Sequence, residues 1–277
     1  MRLSLSFLFA SLAVSPFALA QAPAVSPAQA HFTIVQASDG KNVGSADYTV
    51  TTIPGGYSIA SRGELKLSKF SYTFSNTNRL DERLNIVRDD LSGTVNGSPA
   101  SFQLTSDPSG RQFQVSITAK GNTTTNTFDR HQHTVLLPDL DPAAYGEMAH
   151  FALEHPPTAW IIIPKQNGIL VPAEYDPEPD LGARLDGQPI TAHHTRVIVS
   201  AENAISVEVY YTNEGKLLEA DLPEQNFYVI RDGFRLDQRP TYTPPRNAAP
   251  PEQPGQQQQP PQYGVPQGSP PPQIQQQ

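Results

Sequence analysis

The chain has 277 residues, a formal net charge of −8 and no cysteine. Binding to nucleic acid rests on clustered Lys and Arg that neutralise phosphates; an acidic chain without such clusters excludes that partner class. The missing cysteine excludes disulfides, a cysteine nucleophile and lipid attachment at a cysteine.

Residues 1–20 read as an export signal. Arg2 supplies the positive start, Leu5 to Val14 a short apolar run, and Ala18-Leu19-Ala20 a small-x-small cleavage site. The run is shorter than the ~20 apolar residues that span a bilayer. No later stretch reaches that length, so no transmembrane segment is expected after signal cleavage. Residues 21–30 form a flexible leader. The address is periplasmic or secreted.

From His31 the pattern is that of strands. Tyr48 to Ile53 alternates, Pro54-Gly55-Gly56 reverses the chain, and Tyr57 to Ala60 alternates again. Gly63 marks a kink or bulge before Leu65 and Leu67. Phe70, Tyr72 and Phe74 continue the alternation, and Ser75-Asn76-Thr77-Asn78 reads as a turn. Leu80 to Val87 fits a helical period as well as a strand, and its neighbours favour strand. Asn96-Gly97 is a strong hairpin signal, because a type I′ turn needs two left-handed residues. Phe102 to Leu104, Phe113 to Ala119, Thr123 to Phe128 and His133 to Leu137 extend the meander.

The period then changes. Asp141 caps and Pro142 opens a helix whose Tyr145, Met148, Ala149 and Ala152 share one face, ending by His155 ahead of Pro156. Gly146 costs it about 1 kcal/mol of propensity. Ala159 to Ile163 is the continuous apolar run of a strand covered on both faces. Asn167-Gly168 and Asp186-Gly187 turn the chain, with a stiff acidic stretch, Pro172 to Pro179, between them. Thr195 to Ser200 and Ile205 to Tyr211 are strands, and Asn213-Glu214-Gly215 turns into Leu217-Leu218. Phe227 to Ile230 ends the sheet. Residues 237–277 are mostly Pro and Gln, too poor in apolar residues to offset ~1–2 kcal/mol of backbone entropy per residue, and are expected to be disordered.

The expected fold is therefore all-β with one helix: a long antiparallel meander over 31–236, curved into a β-spiral or unclosed barrel around that helix. A sheet bent round one amphipathic helix leaves an apolar cleft between them. Phe70, Tyr72, Phe74, Tyr145, Met148, Phe151 and Trp160 are its expected lining. The alternative is that the helix plugs the interior, as side chains fill small barrels.

Other chemistry-bearing residues are scattered. His131 and His133 would lie on one face of a strand, as metal ligands can, and His150, His193 and His194 are further imidazoles. Glu147 and His150 have the spacing of bundle di-iron ligands, without a second such pair. Asp176, Glu178 and Asp180 alternate as in a calcium loop, but Leu181 and Gly187 stand where that loop needs Gly and Glu. Asp129, His131 and a serine would complete a hydrolytic triad only if folding brought them together. No cofactor-binding motif is present.

The meander with its late helix and the hairpin Val209 to Ala220 resemble uncharacterised bacterial envelope proteins of the β-spiral or unclosed-barrel type. These are similar in architecture to the lipoprotein carriers LolA and LolB. The resemblance implies a periplasmic sheet wrapped around a helix; in the carriers the inner surface and helical lid take up acyl chains. The expectation is an exported, non-catalytic envelope protein that binds a lipid or other apolar ligand, or an envelope partner. A secreted hydrolase, or a structural protein whose Pro/Gln tail engages a partner, are the alternatives.

Overall fold

The computed structural model describes residues 28–242 apart from 157, 202 and 203. The expected signal at 1–20 lies outside the described residues, as do most of the leader and the tail from 243 on.

Eight strands run up and down in chain order: β1 (Ala28–Gln36), β2 (Asn42–Ile53), β3 (Gly56–Lys66), β4 (Ser71–Asp81), β5 (Ile86–Val95), β6 (Ser98–Ser106), β7 (Gln112–Ala119) and β8 (Asn122–Asp129). The short β9 (Thr134–Leu136) leads to α1 (Pro142–Glu154). Then follow β10 (Ala159–Ile163), β11 (Ile169–Leu185), β12 (Gln188–Val199), β13 (Ile205–Tyr211), β14 (Leu217–Leu222), β15 (Phe227–Arg231) and β16 (Phe234–Leu236). All belong to one sheet, ordered β8 through β1 and then β15 back to β9, with β16 added beside the far half of β11. Its two edges, β8 and β9, are not hydrogen-bonded to each other, so the barrel is unclosed. The pairing is antiparallel throughout except between β9 and β10, which are parallel because α1 lies between them.

The stretch Phe227 to Ile230 does not end the sheet. It is β15, and it zips onto β1 from Phe32↔Arg231 to Gln36↔Phe227, in the middle of the strand order. One turn is also placed differently from expectation. Ser75–Asn78 is mid-strand in β4, and the reversal falls at 82–85, where Leu84 takes a φ of 59° and the Asp81 carboxylate accepts from the amides of Arg83 and Asn85. Polar residues on a strand read as a turn when their inward partners are distant in sequence. Pro172–Pro179 is part of β11, with a register shift between Glu178 and Leu181.

Asn96-Gly97 and Asp186-Gly187 are two-residue hairpin turns with positive φ at both positions, as a type I′ turn requires. Gly63 lies in a regular ladder, without a bulge. A Cβ there would stand 2.5 Å from the Phe74 ring, so the glycine makes room for an aromatic beneath it.

The main core lies inside the curved sheet, and α1 fills it. Asp141 caps the helix through the Ala143 amide at 2.9 Å, and His155 ends it in the left-handed conformation. Nine of its residues are buried, Tyr145, Met148 and Phe151 completely. A second, smaller core of Ala183, Ala192, Tyr210, Leu218, Phe234 and Leu236 lies on the outer face, under β16. Covered on both sides, β14 is buried at every position.

Beyond β16 the chain returns to that outer face. Arg239 Nη1 lies 2.5 Å from Glu219 and 2.6 Å from Asp221, with its guanidinium 3.9 Å from the Tyr228 ring centroid. Tyr242 bonds to Ser206 and Glu224.

Candidate functional site

The alternation of β4 turns Phe74, Asn76, Asn78 and Leu80 inward, and that of β5 turns Asp89 inward opposite Asn78. The helix brings Asp141 and Glu147 down onto this row. Asn76 Nδ2 donates to Asp141 at 3.2 Å and Asn78 Nδ2 to Glu147 Oε1 at 2.6 Å. Asp89 and Asp141 are fully buried and Glu147 is 5% exposed.

The cluster is short of donors. Neither oxygen of Asp89 has a hydrogen-bond partner, nor has Glu147 Oε2, nor the amide oxygens of Asn76 and Asn78. Burial pushes the Glu147 carboxyl well above the usual range, and the nearby Asp89 and Asp141 push it further against the Asn78 bond. Asp89 is raised well above its ordinary value by burial and then by Asp141, and Asp141 is raised by burial too. Burial of a carboxyl without a cation partner favours its protonated form, so all three titrate above the usual carboxylate range, Asp89 and Glu147 well above it.

A cavity of about 320 Å³ opens beside this cluster, between α1 and β2–β4. Tyr48, Val50, Tyr57, Ile59 and Leu80 form its apolar wall. On the helix side Gly146 leaves the space free, with the Tyr48 hydroxyl 3.6 Å from where a Cβ would stand. Glu147 is part of the lining, and the exposed Glu82, Arg83, Glu154, Glu214 and Lys216, with the half-buried His150, mark the rim. A second cavity, of about 260 Å³, lies under β5–β7 near the unclosed seam, lined by Leu91, Phe102, Ile117 and Tyr72 among others. Lys165 and Asp139, paired at 2.6 Å, also line it.

The aromatic residues expected to line one cleft are dispersed. Tyr145, Met148 and Phe151 are fully buried and plug the interior. Phe74 is buried beneath Gly63, and Phe70 is 38% exposed at a turn. Tyr72 lines the second cavity, and Trp160 stacks on His131 with centroids 3.9 Å apart. The cleft between helix and sheet instead uses Tyr48 and Tyr57 from the first hairpin and Glu147 from the helix. The i, i+4 relation of Ala143 and Glu147, with Gly146 between, marks that second helix face in the sequence.

His131 and His133 do not share a strand face. Both precede β9; His133 has a φ of 52° and approaches Glu154 at 3.7 Å and the Phe151 ring edge-on. His131 makes no hydrogen bond to Asp129 or to a serine among the described residues. His193 sits between Asn213 and Asp180, which raise its pKa in that order. His194 bonds Glu208 at 2.8 Å, and Glu208 also takes Arg196 at 2.7 Å. Glu178 pairs with Arg196 and Asp180 with His193, so the acidic run of β11 is divided between two partners. Among the described residues no group of three His, Asp or Glu side chains converges as a metal site, and no helix is long and apolar enough to cross a membrane.

No family model matches the chain, and no curated protein does. Among solved structures it is similar to a β-barrel-like protein of the domain of unknown function DUF1849 from Brucella abortus. The identity is 9%, the match covers 76% of this chain and 98% of that one, and the TM-score is 0.52. It also matches a protein with a YmcC-like fold from Bacteroides fragilis at 7% identity, over 75% and 94% of the two chains, with a TM-score of 0.26.

Proposed function

We propose that this is an exported protein of the bacterial cell envelope that holds an apolar ligand, without turning it over, in the cleft between α1 and β2–β4. The observation that carries the reading is the cavity of about 320 Å³ walled on the sheet side by Tyr48, Val50, Tyr57, Ile59 and Leu80, with Glu147 on the helix side and the charged residues confined to its rim. Ligand sites are concave, mostly apolar, and carry a few placed polar groups, with volumes from about 300 Å³ upward. The size suits one acyl chain or a compact apolar group. The export signal read at residues 1–20 supports the envelope address, and the barrel-like fold supports a scaffold that keeps such a cleft open. In this proposal α1 is a plug on its Tyr145 and Met148 face and a wall of the cleft on its Ala143 and Glu147 face.

The test is occlusion. Gly146→Leu puts a side chain into the cleft where a Cβ meets nothing closer than the Tyr48 hydroxyl, and replacing a helical glycine favours the helix by up to about 1 kcal/mol. The variant is expected to fold and to lose uptake of a fluorescent fatty acid, and lipid seen by mass spectrometry of the purified protein is expected to fall away with it. Unchanged uptake in Gly146→Leu sinks the assignment.

A further inference from the structure

Resting on that reading of the cleft, we propose that the ligand is an amphiphile with a basic amine head, seated with its nitrogen against the Glu147 carboxyl. Glu147 Oε1 is taken by Asn78, and Oε2 has no partner. Behind it stand Asp89, with two unpartnered oxygens, and Asp141, capping the helix.

The elements packed around Glu147 add no positive charge. Strand β3 brings Ser61 and β4 brings Asn76 and Asn78. Strand β5 brings Asp89, while the adjacent Asp90 is engaged by Arg88. Strand β11 brings Tyr175, whose hydroxyl is unpartnered, and β2 brings Tyr48. Tyr145, on the helix itself, bonds to the Leu140 amide. Among the described residues no lysine, arginine or histidine pairs with Glu147, Asp89 or Asp141. The charged rim, with Glu82, Glu154 and Glu214 against Arg83, Lys216 and His150, lies at the solvent end.

A site with surplus buried acceptors is completed by a group that brings donors. An ammonium brings three and a positive charge. A carboxylate or phosphate head brings more acceptors and a like charge, and an alcohol brings a single donor. In the empty protein the proton that burial favours on Glu147 supplies one of the missing donors. When the ammonium enters, the Glu147 O–H bond breaks, its proton leaves to solvent, and the carboxylate pairs with the ammonium. The net charge within the site is the same before and after.

The experiment compares decylamine, decanol and decanoate by titration calorimetry with the full chain, in two buffers of different ionisation enthalpy and at several pH values. The expected result is that the amine binds about tenfold or more tightly than either of the others. It should release close to one proton, and its affinity should rise by up to about tenfold per pH unit while Glu147 remains protonated in the empty state. In Glu147→Gln the amine's advantage and the proton release should vanish while decanol still binds. Decanol or decanoate binding as tightly as the amine, binding without proton release, or an advantage retained in Glu147→Gln would each overturn the amine assignment and leave the cleft standing. If none of the three binds, or if Gly146→Leu leaves all three unaffected, the cleft itself is wrong and the amine falls with it.

Discussion

Asn78 on β4 donates to Glu147 on α1 at 2.6 Å in the interior of the barrel, with both side chains all but closed to water. The bond keys the helix to the sheet at one height and rotation. It does so beside two further buried acids, Asp89 and Asp141, so the protonation of this cluster is coupled to where the helix sits.

Stability should therefore fall as pH rises above the acid range. In the unfolded chain Asp89 and Glu147 titrate near 3.8 and 4.5, and in the fold burial raises both well above those values. The folded state binds more protons, so this contribution is fully present below about pH 4 and is lost as pH climbs through the raised values. Below that range the sign reverses. Asp47, lowered by His31, and Asp107, held down to about 2 by Ser109 and loop amides, lose stability as they protonate. Thermal melts between about pH 5 and pH 8 should show a declining melting temperature. Asp89→Asn, which supplies donors, should flatten the decline and raise the melting temperature at pH 8 by a few degrees.

Arg239→Ala should destabilise the protein by about 2–4 kcal/mol. Removing one member of a buried ion pair costs ~3–5 kcal/mol, and the 33% exposure of the Arg239 side chain reduces that here through screening by water. Urea titration measures the loss. Combining the change with Glu219→Gln should recover part of it, because burial and the neighbouring Asp221 already raise the Glu219 carboxyl well above its normal range. Additive losses in the double variant would argue against a shared site.

Gly63→Ala should cost about 1–3 kcal/mol by overpacking. The new methyl would meet the Phe74 ring at 2.5 Å and Ala46 Cβ at 2.9 Å. Phe74→Leu in the same chain should restore some of the loss, which separates a steric cause from a loss of strand propensity.

Met148→Ala should cost about 2–5 kcal/mol as a cavity in the core, yet leave ligand uptake by the folded fraction unchanged. Met148 is fully enclosed and takes no part in lining the cleft. Reduced uptake at full folding would reassign the plug face of the helix to the ligand.

The meander, its hairpins and the helix were legible because each rests on local chemistry: alternation, Asn-Gly and Asp-Gly turns, and a capping Asp followed by Pro. The inner polar row was not. Ser75-Asn76-Thr77-Asn78 has the composition of a turn, and what keeps it extended is the pairing of Asn76 with Asp141 and of Asn78 with Glu147, 65 and 69 residues away. The aromatic lining was misplaced for a related reason. A helix period shows which residues share a face, but here two faces of one helix are buried, and only the sheet's curvature decides that Tyr145 and Met148 fill while Gly146 leaves space. His131 and His133 were separated by the left-handed backbone at His133, which breaks the alternation that their spacing implied.

The zipper between β1 and β15 has a consequence for biogenesis. Thr33 meets Asp232 across 199 positions of chain, so a polypeptide that emerges amino end first exposes one flank of β1 until nearly the last strand arrives. Contacts that distant slow folding, and a naked strand flank recruits other chains. The waiting half-sheet β1–β8 is thus the species that holdase chaperones would need to shield. Its lifetime, more than the depth of the native well, would govern how much folded protein a cell recovers.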